Sequence, residues 1–180
     1  MKLTWFADTA MRIHIGGRIL VADAERAPRG IDFRELLSGA DRTFHLTEDD
    51  YELPEIDPTL WRPRRVARPI DQQAGGSDVA VVRIGTSAVL IDAPGEPALA
   101  LLAGSEPPRF GRWANEAVVV LFGDGQGMVA LGTVLLDVAE PKLLALAADG
   151  AAVEHAIAEL GEHLDGTGLV SLEPGMAVEV

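Results

Sequence analysis

Apolar and polar positions alternate through the first part of the chain. Met11, Ile13 and Ile15 alternate with Arg12 and His14, a period of two that predicts a half-buried strand over Ala10 to Ile15. Leu3 to Phe6 forms a short strand before it. Gly16-Gly17 supplies a tight turn, and Arg18 to Ala22 returns as an apolar strand ending at Asp23. Ile31 to Leu37 predicts a short helix closed by Gly39, followed by a strand over 42–46.

From Pro54 to Gly76 the pattern is lost. Pro54, Pro58, Pro63 and Pro69 oppose both helix and central strand, so this segment is a linker. Apolar patterning then resumes with a second hairpin. Ala98 to Ala103 predicts a short helix, and Ala117 to Phe122 and Met128 to Leu136 predict two strands joined by Gly123-Asp124-Gly125-Gln126-Gly127. Pro141 to Ala148 and Ala151 to Leu164 predict helices. Val153, Ile157, Leu160 and Leu164 line one face of the second. Leu169 to Leu172 and Ala177 to Val180 predict a closing hairpin turned at Glu173-Pro174-Gly175.

One segment matches another without a gap. His14 to Ala24 and Arg83 to Ala93 each comprise a strand, a glycine-containing turn, an apolar strand and Asp-Ala. Any two hairpins share such a pattern. An internal duplication, with each half opening on the same hairpin, also explains it.

Composition narrows the classes. With 180 residues and 48% hydrophobic content, the chain suits a single domain with a sizeable core. A net charge of −13 argues against nucleic acid, which needs clustered Lys and Arg. The absence of cysteine excludes disulfides, thiolate metal sites and a cysteine nucleophile. The N-terminal residues lack a secretory signal pattern. The apolar runs are too short to span a bilayer. The expectation is a cytoplasmic protein without membrane contact.

The most informative stretch is Thr47-Glu48-Asp49-Asp50-Tyr51-Glu52-Leu53, directly after the strand at 42–46. It resembles the metal loop of the metallo-β-lactamase superfamily, in which a strand runs into Thr-His-x-His-x-Asp-His. Glu48 and Asp50 stand at the first two histidine positions, Glu52 at the aspartate position and Leu53 at the last histidine position. The chain is similar to the branch containing L-ascorbate-6-phosphate lactonase-like hydrolases. Met1-Lys2-Leu3-Thr4-Trp5 matches its opening strand, with Asp8 where a histidine belongs. Ile15 to Asp23 matches the Gly-Gly hairpin ending in a site-facing aspartate, and Ala88 to Gly95 the strand whose aspartate bridges two metals, here Asp92. Gly168 to Gly175 matches the closing segment. No counterpart of the strand ending in Pro-x-His is present.

The resemblance implies an α/β, four-layer αββα sandwich over residues 1–180, with an N-terminal half at 1–53, the linker at 54–76 and a C-terminal half at 77–180. It implies that Asp8, Asp23, Glu48, Asp50, Glu52 and Asp92 approach a common region. Such a cluster needs compensation, because like charges about 4 Å apart repel by roughly 4 kcal/mol at an effective dielectric of ~20. The routes are arginine pairing, splaying into solvent, protonation, or a hard cation such as Mg²⁺, Mn²⁺ or Ca²⁺. Pairing or splaying is favoured. Zinc is disfavoured without imidazole ligands.

Other residues suggest further chemistry. Trp61, Arg62, Arg64, Arg65 and Arg68 form a basic run suited to an anion or an acidic partner, or to pairing with the acidic surface of the chain. His14 and His45 are expected to be structural, and His155 and His163 exposed. The glycine-rich loop at 123–127 lacks the ending of a phosphate loop and is expected to join strands. The resulting expectation is a non-catalytic protein without a cofactor, acting in binding or assembly as a homo-oligomer or with a protein partner. The alternatives are a carboxylate-held divalent-metal hydrolase and a binder of a small anionic metabolite at Arg62–Arg68.

Overall fold

The computed structural model of the protein describes residues 1–46, 53–64 and 79–180. The architecture is mixed α/β, built on two sheets. The first hairpin and its neighbours are strands β1 (Lys2–Ala7), β2 (Ala10–Ile15), β3 (Arg18–Ala22) and β4 (Arg42–Phe44), with a short helix α1 (Phe33–Leu37) between β3 and β4. The second part runs β5 (Ala80–Gly85), β6 (Ala88–Asp92), β7 (Leu99–Leu102), β8 (Val118–Phe122), α2 (Gly125–Leu136), β9 (Leu143–Ala147), α3 (Gly150–Leu160), β10 (Gly168–Ser171) and β11 (Ala177–Glu179). The sheet orders are β11-β1-β2-β3-β4 and β10-β9-β8-β7-β6-β5.

Strand alternation divides the apolar residues into three clusters. Leu3, Met11, Ile13 and Ile15 of the first sheet meet Val89, Ile91, Leu101 and Val120 of the second in a shared core between the sheets. The opposite face of the second sheet, with Leu90, Val119 and Leu144, packs on Met128, Leu131, Val153 and Leu160 of α2 and α3. The outer face of the first sheet carries Val21 against Ala24 and Leu36 near α1.

Several elements differ from the sequence expectation. The run expected as a helix at 98–103 is strand β7, whose four residues are all buried. It lies between β6 and β8 with both faces covered, so no periodicity distinguishes it. The expected helix at 141–148 is strand β9, paired in parallel with β8 and β10. The expected strand at 128–136 is helix α2, entered through an Asp124 cap that accepts from the Gly127 N–H at 2.7 Å. The loop at 123–127 therefore opens a helix, and its own carboxylate fills the cap. The last two strands do not form a hairpin. β10 joins the second sheet in parallel and β11 pairs antiparallel with β1. In α3 the buried positions are Val153, Ala156 and Leu160, while Ile157 faces solvent.

The two matched segments both form antiparallel hairpins, with different turns. Gly16 and Gly17 both have positive φ, at 56° and 75°, as a tight primed turn requires. Thr86 and Ser87 lie outside that region, and a register shift between Arg83 and Gly85 makes up the difference. The hairpins face each other in opposite directions. The tip of the first meets the end of the second: a Cβ built on Gly16 would lie 2.9 Å from the Ala93 Cβ, and the Gly16 N–H donates to Glu96 at 2.6 Å. At the other end Arg83 donates to the carbonyls of Thr86, His45 and Leu46 at 3.2–3.3 Å.

A side chain at Gly16 meets both a left-handed backbone and a steric contact, whereas Gly17 has open space around it. Gly17→Ala is expected to cost about 1–2 kcal/mol. Gly16→Ala should cost a further ~1–3 kcal/mol through overpacking. Chemical denaturation of both variants reads the difference, and equal losses would contradict the seating of the tip against Ala93.

Candidate functional site

Each inner hairpin strand ends in a buried aspartate, Asp23 after β3 and Asp92 closing β6, at 1% and 2% exposure. Opposed packing keeps them apart. Asp92 adjoins Ala93 at the tip of the first hairpin, whereas Asp23 lies along β3 from that tip, on the order of 16 Å away at about 3.3 Å per residue. The expected common region therefore does not gather Asp23 with Asp92. Asp8 lies at the Asp23 end, beside Thr9. Glu48, Asp50 and Glu52 lie outside the described residues, as do Arg65 and Arg68.

Asp23 sits in a tight polar setting. It adopts a left-handed backbone at φ 41°, a conformation aspartate tolerates better than most residues. Its Oδ2 accepts from the Thr9 hydroxyl at 2.5 Å, and its Oδ1 from the Leu46 N–H at 3.0 Å. Burial pushes its carboxyl above the ordinary value. The Thr9 and Leu46 hydrogen bonds oppose that rise, Glu25 adds to it and Arg26 opposes it. The parallel register of β3 and β4 aligns Ala22 with Phe44, which sets His45 beside Asp23. His45 Nδ1 lies 3.4 Å from Asp23 and 3.2 Å from Glu25. Ligand atoms of Asp23, Glu25 and His45 all fall within 4.8 Å of one another, the one such group among the described residues. Glu25 and His45 were not expected here from the sequence. The parallel pairing of the two strand ends is the signal that brings them together.

The other aspartates are paired with arginine. The Arg26 guanidinium donates to Asp8 at 2.9 Å, an exposed contact that raises the arginine's pKa. Arg64 reaches Asp92 from the proline-rich segment. Its Nε donates to the carboxylate at 2.6 Å and its Nη2 to the Asp92 carbonyl at 2.9 Å. The Asp92 side chain is 3% exposed and that of Arg64 37%. Trp61 packs edge-on against buried Trp113 at 6.5 Å, a structural contact, and Arg62 is exposed.

No family model and no curated protein matches this chain. Among solved structures it is similar to a Thermotoga maritima protein assigned as a Zn-dependent hydrolase of the metallo-β-lactamase superfamily. The identity is 14%, the match covers 96% of this chain and 99% of the other, and the TM-score is 0.48. No helix among the described residues is long and apolar enough to cross a membrane.

The raised Asp23 carboxyl has a consequence for stability. An acid whose folded pKa is raised favours the fold when protonated. That contribution is whole below the ordinary value of 3.8 and is lost as pH climbs through the raised value. Asp23→Asn keeps the shape, can accept from Leu46 and donate to Thr9, and carries no charge. Its stability relative to the wild type is expected to rise with pH from 3.8 upward and then level off. Urea unfolding at several pH values checks this, and a flat difference would contradict it.

Proposed function

We propose that this chain is a single metallo-β-lactamase-like αββα domain that no longer performs metal-dependent hydrolysis and serves as a cytoplasmic binding or assembly protein. The observation that carries this reading is the Arg64 guanidinium on Asp92. In the resembling family that aspartate bridges two metals. Here a cation from the chain itself takes the charge-balancing role. A charge-assisted hydrogen bond to a nearly buried carboxylate is stronger than a neutral one, and a metal would have to displace it. The replacement of loop histidines by Glu48 and Asp50 supports the same reading. The apolar clusters on either side of and between the two sheets support the four-layer arrangement. The proline-rich segment, with Trp61 anchored and Arg62 exposed, is the proposed contact with a second copy or an acidic protein partner. Because Arg64 is engaged, the run is less suited to a small anionic metabolite.

One observation favours a second reading. Asp23, Glu25 and His45 offer two carboxylates and one imidazole within 4.8 Å. Both Asp23 oxygens already accept a hydrogen bond, yet each keeps a further lone pair, so the set fits a divalent ion such as Zn²⁺ or Mn²⁺. A bound ion would supply a water of lowered pKa. Asp23 and Glu25 would hold it, and His45 would complete the set.

Elemental analysis of protein purified without chelator decides between the readings. The first expects metal far below one per chain, and no calorimetric uptake of added Zn²⁺ or Mn²⁺. Stoichiometric metal that disappears in His45→Ala would overturn it in favour of the second.

A further inference from the structure

The two sheets end on β11, β4, β10 and β5. On the β5 edge the chain supplies its own neighbour. The Arg83 N–H donates to the Pro54 carbonyl at 2.9 Å, and the Ile56 N–H to the Arg83 carbonyl at 3.1 Å. β4 and β11 carry Arg42 and Glu179, and charged side chains on an edge oppose pairing with another chain. β10 has neither device. From Gly166 to Leu172 no residue is charged and none is proline, and the pairing of β10 with β9 runs without a bulge.

The register fixes which backbone groups of β10 face outward. The Gly168 N–H donates to the Lys142 carbonyl at 3.1 Å, and the Leu172 N–H to that of Leu146 at 2.8 Å. The even-numbered residues thus turn their backbone groups to β9. These directions alternate along a strand, so the N–H and C=O of Leu169 and Ser171 point to the open side. Neither residue has a backbone partner there among the described residues. Leu169 packs toward the helices and Val170 toward the core between the sheets, while Ser171 is exposed. The strand is held by both cores and still offers two donors and two acceptors.

Charge selects the occupant. Residues 143–180 contain seven acids and no Lys or Arg. Exposed Asp165 and Glu173 flank the strand, and neither forms an ion pair among the described residues. Lys142, just before β9, lies on the side of β10 away from the open edge. A second copy of this chain would bring its own seven acids to the same seam, whereas a strand flanked by Lys or Arg meets opposite charge at its ends.

We propose that the β10 edge accepts an extended segment of a different protein, uncharged in its middle and flanked by Lys or Arg, as a seventh strand of the second sheet. Backbone hydrogen bonds to Leu169 and Ser171 hold the segment, and Asp165 and Glu173 select its charged ends. The surface lies at the opposite edge of the sheet from residues 54–56. It stands or falls independently of Arg64 on Asp92.

The test is calorimetry and NMR-detected hydrogen exchange of the full chain with the end-capped peptide Lys-Val-Thr-Val-Thr-Val-Lys. Saturable binding is expected, tighter at low salt, with slowed exchange at the Leu169 and Ser171 amides. The same peptide with Glu in place of Lys should bind at least about tenfold more weakly. Ser171→Pro removes one outward donor and should weaken binding about tenfold. Asp165→Asn with Glu173→Gln should weaken it about threefold at low salt and flatten the salt dependence. Methylating the backbone nitrogens of the peptide should abolish binding to the unaltered chain, which keeps the test valid if Ser171→Pro fails to fold. No saturable binding, equal binding of the Lys and Glu peptides, or protection that spares Leu169 and Ser171 overturns the proposal. A dimer of the peptide-free chain that Ser171→Pro dissociates, read by sedimentation, also overturns it, because the occupant is then a second copy.

Discussion

A carboxylate taken out of water must be neutralised or hydrogen-bonded, and this fold buries two of them at the ends of its inner hairpin strands. Much of the polar structure around the core answers that constraint. Asp23 is met by a hydroxyl and a backbone N–H, and burial shifts it toward the neutral form. Asp92 is met by a guanidinium that also binds its carbonyl. Two similar segments thus solve the same problem differently, one by hydrogen bonding and one by ion pairing. The backbone differs as well, since Asp23 is left-handed and Asp92 continues the strand.

The opposed packing of the hairpins explains why the two solutions are separate. Each tip is fastened to the far end of the other hairpin, by Glu96 on Gly16 at one end and by Arg83 on the β4 exit at the other. A single carboxylate cradle spanning both aspartates is incompatible with that geometry. The proline-rich segment is useful for the same reason. It leads from the β5 edge, where Glu55 bridges to Arg83, to the opposite end of the core, where Arg64 closes on Asp92.

Elements with one wet and one dry face were legible in the sequence. β1 and β2 alternate, β3 follows the Gly16-Gly17 turn, β4 and α1 are bounded by turn signals, and α3 carries a helical apolar face. β7 and β9 were not legible, because strands buried on both faces show no period and their Leu-Ala runs read as helix formers. α2 was misread because Gly, Val and Thr mask its helical character, and only its Asp124 cap identifies it. At the site, Asp8, Asp23 and Asp92 were legible only as metal positions converging on one region, with arginine pairing or splaying into solvent as the favoured compensation. The particular partner was hidden, since 28 residues separate Arg64 from Asp92 and no local rule connects them. Glu25 carried no expectation and His45 was expected to be structural, because their meeting depends on the β3–β4 register.

Arg64 supplies the charge that the nearly buried Asp92 needs. A double-mutant cycle with Arg64→Ala and Asp92→Asn, read by chemical denaturation, measures that coupling directly. An interaction energy of about 1 kcal/mol or more is predicted, within the usual range for contacting residues. Losses that add to within about 0.3 kcal/mol would contradict it.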